Sequence, residues 1–199
     1  MYAIDAPNLK VAASLFIKHY ARVTVASTLH HLALHNGALR FPPMQIGLSE
    51  DNKTLYVNKQ VDHWIDWSKE ERECWRTHIL HELFCLHITP LLMAIKKTTS
   101  IPYNILWENV SVRINSIYRK MLAQQVTEEI EQQLTNDFCF LQQADGQLFG
   151  CNKNPISHYL NLEYPEDSKH PRRTCCFYYQ VGNQEHCNVC PLAKTALIK

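Results

Sequence analysis

Four of the eight cysteines in this 199-residue chain, Cys175, Cys176, Cys187 and Cys190, fall within sixteen residues, and no other feature limits the possible folds as tightly. Cys187-Asn188-Val189-Cys190 is a C-x-x-C unit, a spacing that turns two sulfurs toward one metal ion. Cys175-Cys176 differs, because adjacent residues do not easily imitate that chelate, so the paired C-x-x-C knuckles of a zinc ribbon are not written here. A [2Fe–2S] cluster is broader, with two irons that each need two thiolates, and accepts a second pair of different geometry. Spacing alone leaves an iron–sulfur cluster, structural zinc and unliganded or disulfide-bonded thiols all open. Cys74, Cys85, Cys139 and Cys151 are scattered in apolar or turn settings and read as free thiols of no special role.

The rest of the chain reads as mainly helical. Residues from about Asp5 to His35 form one long helix, with Asp5 as cap, Asn36-Gly37 as stop, and Lys10, Ser14, Lys18 and Arg22 as a polar stripe at spacing four. Met44–Leu48 and Thr54–Val57 have strand character and are joined by Ser49-Glu50-Asp51-Asn52-Lys53, which has hairpin composition. Ser68-Lys69-Glu70-Glu71 is a capping box opening a helix through Trp75, Ile79, Glu82 and Leu86 to Pro90, where either a kink or a break is expected, with helical pattern beyond it to about Lys97. A further helix covers Ile105–Gln125, and Thr127 caps another reaching about Leu134. From Phe138 the periodicity fades, and Asp145-Gly146 reads as a turn between short strand-like pieces. The expected fold is therefore α+β: mainly helical, with a small β-hairpin and an irregular C-terminal cysteine loop, in a single domain spanning residues 1–199.

Several function classes drop out. The five glycines, Gly37, Gly47, Gly146, Gly150 and Gly182, are never two apart, which removes the G-x-G-x-x-G dinucleotide fingerprint, and no phosphate-loop pattern occurs. A net charge of +1 gives no reason to expect nucleic acid as a partner. Lys18, His19 and Arg22 interrupt the most apolar stretch near the start, so no transmembrane segment or signal peptide is expected and the location is cytoplasmic by default. His78-x-x-His81-Glu82-x-x-Cys85-x-His87 fails the H-E-x-x-H zinc-protease pattern, since Cys85 stands at the second ligand position. His30, His31 and His35 suit the carbonyl end of the first helix.

The cysteine segment, Arg172-Arg173-Thr174-Cys175-Cys176, ten residues, then Cys187-x-x-Cys190-Pro191-Leu192, resembles the C-C-x10-C-x2-C signature of the FhuF-like ferric siderophore reductases. Ala13-Ser14-Leu15-Phe16-Ile17-Lys18-His19-Tyr20-Ala21 and Leu106-Trp107-Glu108-Asn109 are similar to that family in the expected order, while Asn188 stands where it commonly has glycine. The resemblance implies that Cys175, Cys176, Cys187 and Cys190, in a cluster-binding segment at 172–192, hold a [2Fe–2S] cluster that passes one electron to the Fe(III) of a bound siderophore of hydroxamate type. Hard oxygen donors hold Fe(III) far more tightly than Fe(II), so one electron opens the chelate. With no nicotinamide or flavin fingerprint, electrons are expected from a separate ferredoxin or flavoprotein. The competing class is a noncatalytic zinc-binding interaction module stapled by the same four cysteines.

Charge agrees with an anionic centre: residues 169–199 carry Lys169, Arg172, Arg173, Lys194 and Lys199 against Glu185, a net of +4. Arg172 and Arg173 are candidates for tuning the cluster or steering an anionic partner. Trp107, Asn109, Tyr178 and Tyr179 are candidate substrate or cluster contacts, and His186, beside Cys187, is a candidate hydrogen-bond donor to sulfur.

Overall fold

The computed structural model describes residues 5–40, 46–49, 55–57, 64–67, 71–163, 172–182 and 185–195. Helix α1 (Leu9–Val23) is capped by Asn8, whose side-chain oxygen accepts from the Val11 amide at 3.1 Å. The cap expected at Asp5 is thus displaced by one turn: Pro7 disfavours helical backbone at Ala6, and Asp5 itself takes a left-handed φ of 47°. The single long helix also divides. Thr24 bonds its hydroxyl back to the Tyr20 carbonyl at 3.0 Å, and α2 (Val25–His35) continues from there to Asn36, which is left-handed and ends it as the sequence predicts.

Strands β1 (Gly37–Leu39), β2 (Ile46–Leu48), β3 (Leu55–Val57) and β4 (Trp64–Asp66) make two antiparallel pairs, β1 with β4 and β2 with β3. The second pair is the predicted hairpin, in register Gly47↔Tyr56, while residues 50–54 of its connection lie outside the described residues. The β1–β4 pair had no sequence signal. It needs Gly37, because a Cβ there would stand 2.2 Å from the Trp64 ring.

Helix α3 (Arg72–His81) passes without a break through a π-helical stretch, Glu82–Ile88, into α4 (Thr89–Thr99). Pro90 has no amide to offer, and the wider turn, in which the Thr89 amide donates to the Phe84 carbonyl five residues back, lets the helix continue where a kink or a break was expected. Of the predicted capping box only Glu71 is a described residue, and its side chain makes no cap hydrogen bond. The 28 residues Arg72–Thr99 are long and apolar enough by length and composition to cross a bilayer. One face of this helix, with Trp75, Ile79, Phe84, Ile88 and Leu92, is buried in the core.

Helix α5 (Tyr103–Leu122) runs through the middle, packed on α1, α2, α4 and α6, and buries Leu106, Val110, Ile114 and Tyr118. Helix α6 (Glu128–Gln143) starts at the predicted Thr127 cap but extends well past Leu134. Its buried face reads Leu134, Asp137, Phe138, Leu141, and the apparent loss of period comes from Asp137, an aspartate on the apolar stripe. That carboxylate is 1% exposed and sits between Arg72 (2.7 Å) and Arg76 (2.9 Å), which together supply its missing hydration. Asp145 caps a short 3₁₀ turn, Gly146–Phe149, in place of the expected strand-like pieces. Another 3₁₀ turn follows at Ser157–Tyr159, and the C-terminal segment adds a third at Tyr178–Gln180 and the short helix α7 (Pro191–Thr195), opened by Pro191.

Candidate metal centre

The cysteine segment lies on α1 and α5, and the contacts that fix it begin with main-chain groups. The Glu108 carboxylate of α5, 3% exposed, accepts from the amides of Arg173 (2.6 Å) and Thr174 (2.8 Å) and from the Thr174 hydroxyl. Ser14, buried on α1, donates its hydroxyl to the Cys176 carbonyl at 2.9 Å, and Asn109 of α5 donates to both the carbonyl and hydroxyl of Ser14 at 3.0 Å. Two buried polar side chains, Glu108 and Ser14, thus meet main-chain groups of the loop, and a third, Asn109, holds Ser14 in place, which is what an ordered irregular segment requires. Phe177, left-handed at φ 62°, packs with Val181 against Ala6, Val11 and Leu15 and anchors the loop to α1.

Across the loop the sulfurs meet in pairs. Cys176 Sγ and Cys187 Sγ are 3.6 Å apart, and the Cys175 side chain interacts with that of Cys190. The amide of Phe177 donates to the Cys175 sulfur at 3.3 Å, and the amides of Tyr178 and Val189 do the same for Cys176 and Cys187. The Cys190 amide closes the C-x-x-C turn onto the Cys187 carbonyl at 2.9 Å, and the Arg172 amide ties the two halves together at the Val189 carbonyl, also 2.9 Å. Cys176 and Cys190 are buried.

Charge on these sulfurs is unevenly shared. The hydrogen bond with Cys187 draws Cys176 down to about 5 against its burial, with Arg172 and Lys18 adding attraction. The same shared proton, together with burial, holds the Cys187 thiol far above its ordinary value. Burial also raises Cys175, against the pull of the Phe177 amide. Lys18 Nζ is 3.9 Å from the Cys176 sulfur and 4.8 Å from the centre of the Tyr178 ring. The two sulfurs thus share a proton, with the nearby Lys18 and Arg172 favouring negative charge on Cys176.

The candidate residues named from sequence separate clearly. Arg172 is 5% exposed, with Nε donating to the Thr174 carbonyl at 3.2 Å and its guanidinium 3.7 Å from Glu108, so it braces the loop and acts on Cys176 by its field. Arg173 is exposed, and only its amide is engaged by Glu108. Trp107 belongs to the core, edge-on to Tyr103 and Phe149. Asn109 reaches Cys176 through Ser14, as described above. Tyr178 is exposed beside Lys18, and Tyr179 lies against His186, whose Nδ1 is 3.2 Å from the Cys190 sulfur. Sequence reasoning gave no role to Ser14, Lys18 or Glu108. All three stand in the two stretches singled out ahead of the cysteines, and Ser14 and Lys18 in the polar stripe of α1, which is the face that receives the loop.

The histidine-rich stretch of the long helix is not gathered. His87 is buried, with its Nε2 2.6 Å from the Tyr20 hydroxyl, while Glu82 pairs with Arg40 at 2.5 Å and lies 3.3 Å from His78. Among the described residues, the His, Cys, Asp or Glu ligand atoms that come together three or more at a point are those of His30, His31 and His35.

No curated protein and no solved structure matches the chain. A family model described as "Ferric iron reductase FhuF-like transporter" matches residues 14–165, beginning at the serine that holds Cys176 and covering Glu108 and Asn109. The match stops short of the cysteines themselves and rests on the helical body that positions them, and over that body the chain belongs to the FhuF-like ferric iron reductase family.

Proposed function

We propose that Cys175, Cys176, Cys187 and Cys190 hold a [2Fe–2S] cluster, and that the chain uses it in the cytoplasm to reduce siderophore-bound Fe(III), in a hydroxamate-type chelate, to Fe(II). The observation that carries this reading is the arrangement of the sulfurs as two pairs, with Cys176 and Cys187 3.6 Å apart. Two thiolates on one tetrahedral metal stand roughly 3.8 Å apart for bonds of about 2.3 Å. A single zinc ion draws four sulfurs to one point, whereas no three of these are so gathered; two pairs match the two irons of a rhombic cluster. The donor set fits in chemistry as well as in spacing: all thiol, half buried, supplied with amide hydrogens, and flanked by Lys18 and Arg172, which offset the negative charge that four thiolates accumulate.

When bound, such a cluster supplies single electrons to Fe(III). The chain does the rest. Glu108, Ser14 and Asn109 hold the loop rigid, so that little reorganisation accompanies a change of charge. Tyr178 and Lys18 form an exposed aromatic and cationic edge next to the Cys176 sulfur, the place where an anionic chelate approaches. No acid–base pair is required, and the donor is a separate ferredoxin or flavoprotein. Dithionite-reduced protein mixed with a ferric hydroxamate in a stopped-flow instrument tests this: reoxidation of the protein coupled to Fe(II) trapped by a ferrous chelator supports the reading, and a reduced centre that persists beside the chelate overturns it.

A further inference from the structure

The three histidines that end α2 make a second metal-binding constellation, remote in sequence from the cysteines. The ligand nitrogens of His30, His31 and His35 all lie within 4.8 Å of one another. Their ring centres are 5.3 to 5.8 Å apart, and the Trp64 ring of β4 meets His31 edge-on at 5.1 Å. Nitrogens bound to one metal at about 2.1 Å stand roughly 3 to 3.5 Å apart, so small side-chain rotations close the set. His30 and His31 are half-buried and His35 is exposed, which leaves the site open to solvent.

Three imidazoles this close have no acidic partner among the described ion pairs. Burial and the mutual proximity of the rings hold His30 and His31 below the ordinary imidazole value. The carbonyl end of α2, closed by Asn36, carries the negative end of the helix dipole toward this cluster and favours a cation there. Against it stand Arg22, Arg113 and Lys120, which share with His30 and His31 the lining of a cavity of about 390 Å³. A site of three imidazole nitrogens beside three cations, with no carboxylate, binds by covalency more than by charge, and that selects the borderline late divalent metals over hard cations such as Mg²⁺.

We propose that His30, His31 and His35 form a three-imidazole site for a borderline divalent transition-metal ion, with its remaining coordination positions open. The site is independent of the cysteine centre and of the reduction proposed above. Taken along the sequence, these residues suit dipole complementarity alone; their convergence in space adds a ligand function to it.

Co²⁺ is the probe, because Co²⁺ on thiolate shows intense sulfur-to-metal charge-transfer absorption and Co²⁺ on imidazole does not. Titrated into the whole protein in the presence of excess Mg²⁺, Co²⁺ is expected to fill a class of sites without that absorption. His35→Gln, at the exposed position, and His31→Gln each weaken that class by at least about tenfold while leaving the thiolate bands intact. The absence of any charge-transfer-free class in the native protein, or its survival at full affinity in His35→Gln, overturns the proposal. Should His31→Gln unfold by circular dichroism, the His35→Gln titration decides alone.

Discussion

Replacing Glu108 by Ala removes the group on which the cysteine segment is built. The carboxylate takes two amides and a hydroxyl from Arg173 and Thr174 and lies 3.7 Å from the Arg172 guanidinium, with the two side chains 4% and 1% exposed. The Nη1 and Nη2 nitrogens of Arg172 have no hydrogen-bond partner among the described residues, where Glu108 is the carboxylate that offsets a charge withdrawn from water. Removing one member of a buried pair costs about 3–5 kcal/mol, and the charged hydrogen bonds to the two amides, about 1.5–3 kcal/mol each, fall within that figure and are not added to it. Glu108→Ala should therefore destabilise by about 3–5 kcal/mol, a large share of a typical total of about 5–15. Arg172→Met leaves Glu108 its three donors and should cost less, about 1–3 kcal/mol. In the double variant the stranded guanidinium is gone, and the loss should be smaller than the sum by at least about 1 kcal/mol. Urea unfolding of reduced, chelator-treated protein, followed by tryptophan fluorescence with the denaturant slope checked for each variant, reads all three. A loss below about 1 kcal/mol for Glu108→Ala, or strict additivity in the double variant, refutes the buried-carboxylate argument.

Cys187→Ser and Cys190→Ser should each abolish the visible chromophore, while Cys74→Ser, at an exposed position, should keep it; visible absorbance with iron analysis checks both. Arg173→Gln should slow reduction of an anionic ferric chelate at low salt and leave it unchanged at high salt, because the side chain is exposed and its charge is screened, as stopped-flow rates across ionic strength will show. Burial holds His87 at about 4 against an ordinary 6.5, so the unfolded chain takes up its proton first; the stabilisation is complete above pH 6.5 and is lost as pH falls toward 4, by about 3 kcal/mol in all. Urea titrations from pH 7 to 4 should show this slope, flattened in His87→Gln, whose side-chain carbonyl still accepts from Tyr20. NADPH with ferric hydroxamate and the protein alone should give no Fe(II), and adding a ferredoxin with its reductase should start the reaction; direct NADPH oxidation contradicts a separate donor.

What the sequence made legible followed from local signals. Asn36-Gly37 stopped a helix, Thr127 started one, and the β2–β3 hairpin lay where its polar connection placed it. The errors arose where distant residues decide. Asp137 disguised the second half of α6 because Arg72 and Arg76, more than sixty positions earlier, make an aspartate acceptable on a core stripe. Gly37 gave no hint that β4 would pair with β1 and lay the Trp64 ring over it. Pro90 suggested a kink or a break, and only the π-turn before it shows how the helix absorbs a missing amide. At the candidate metal centre the four thiols could be named from spacing, while their braces could not: a serine, a lysine and a glutamate on helices mean nothing until the loop is laid on them. The histidines of α2 are the reverse case, three residues read singly that turn out to share one point.

Iron and acid-labile sulfide per chain, measured on protein purified without oxygen, test the proposed centre most directly. Two irons and two sulfides per chain are expected, with visible charge-transfer bands that dithionite bleaches and that vanish in Cys190→Ser. A colourless protein carrying one zinc and no sulfide per chain, with zinc lost in the same variant, would contradict it and assign Cys175, Cys176, Cys187 and Cys190 to a structural staple.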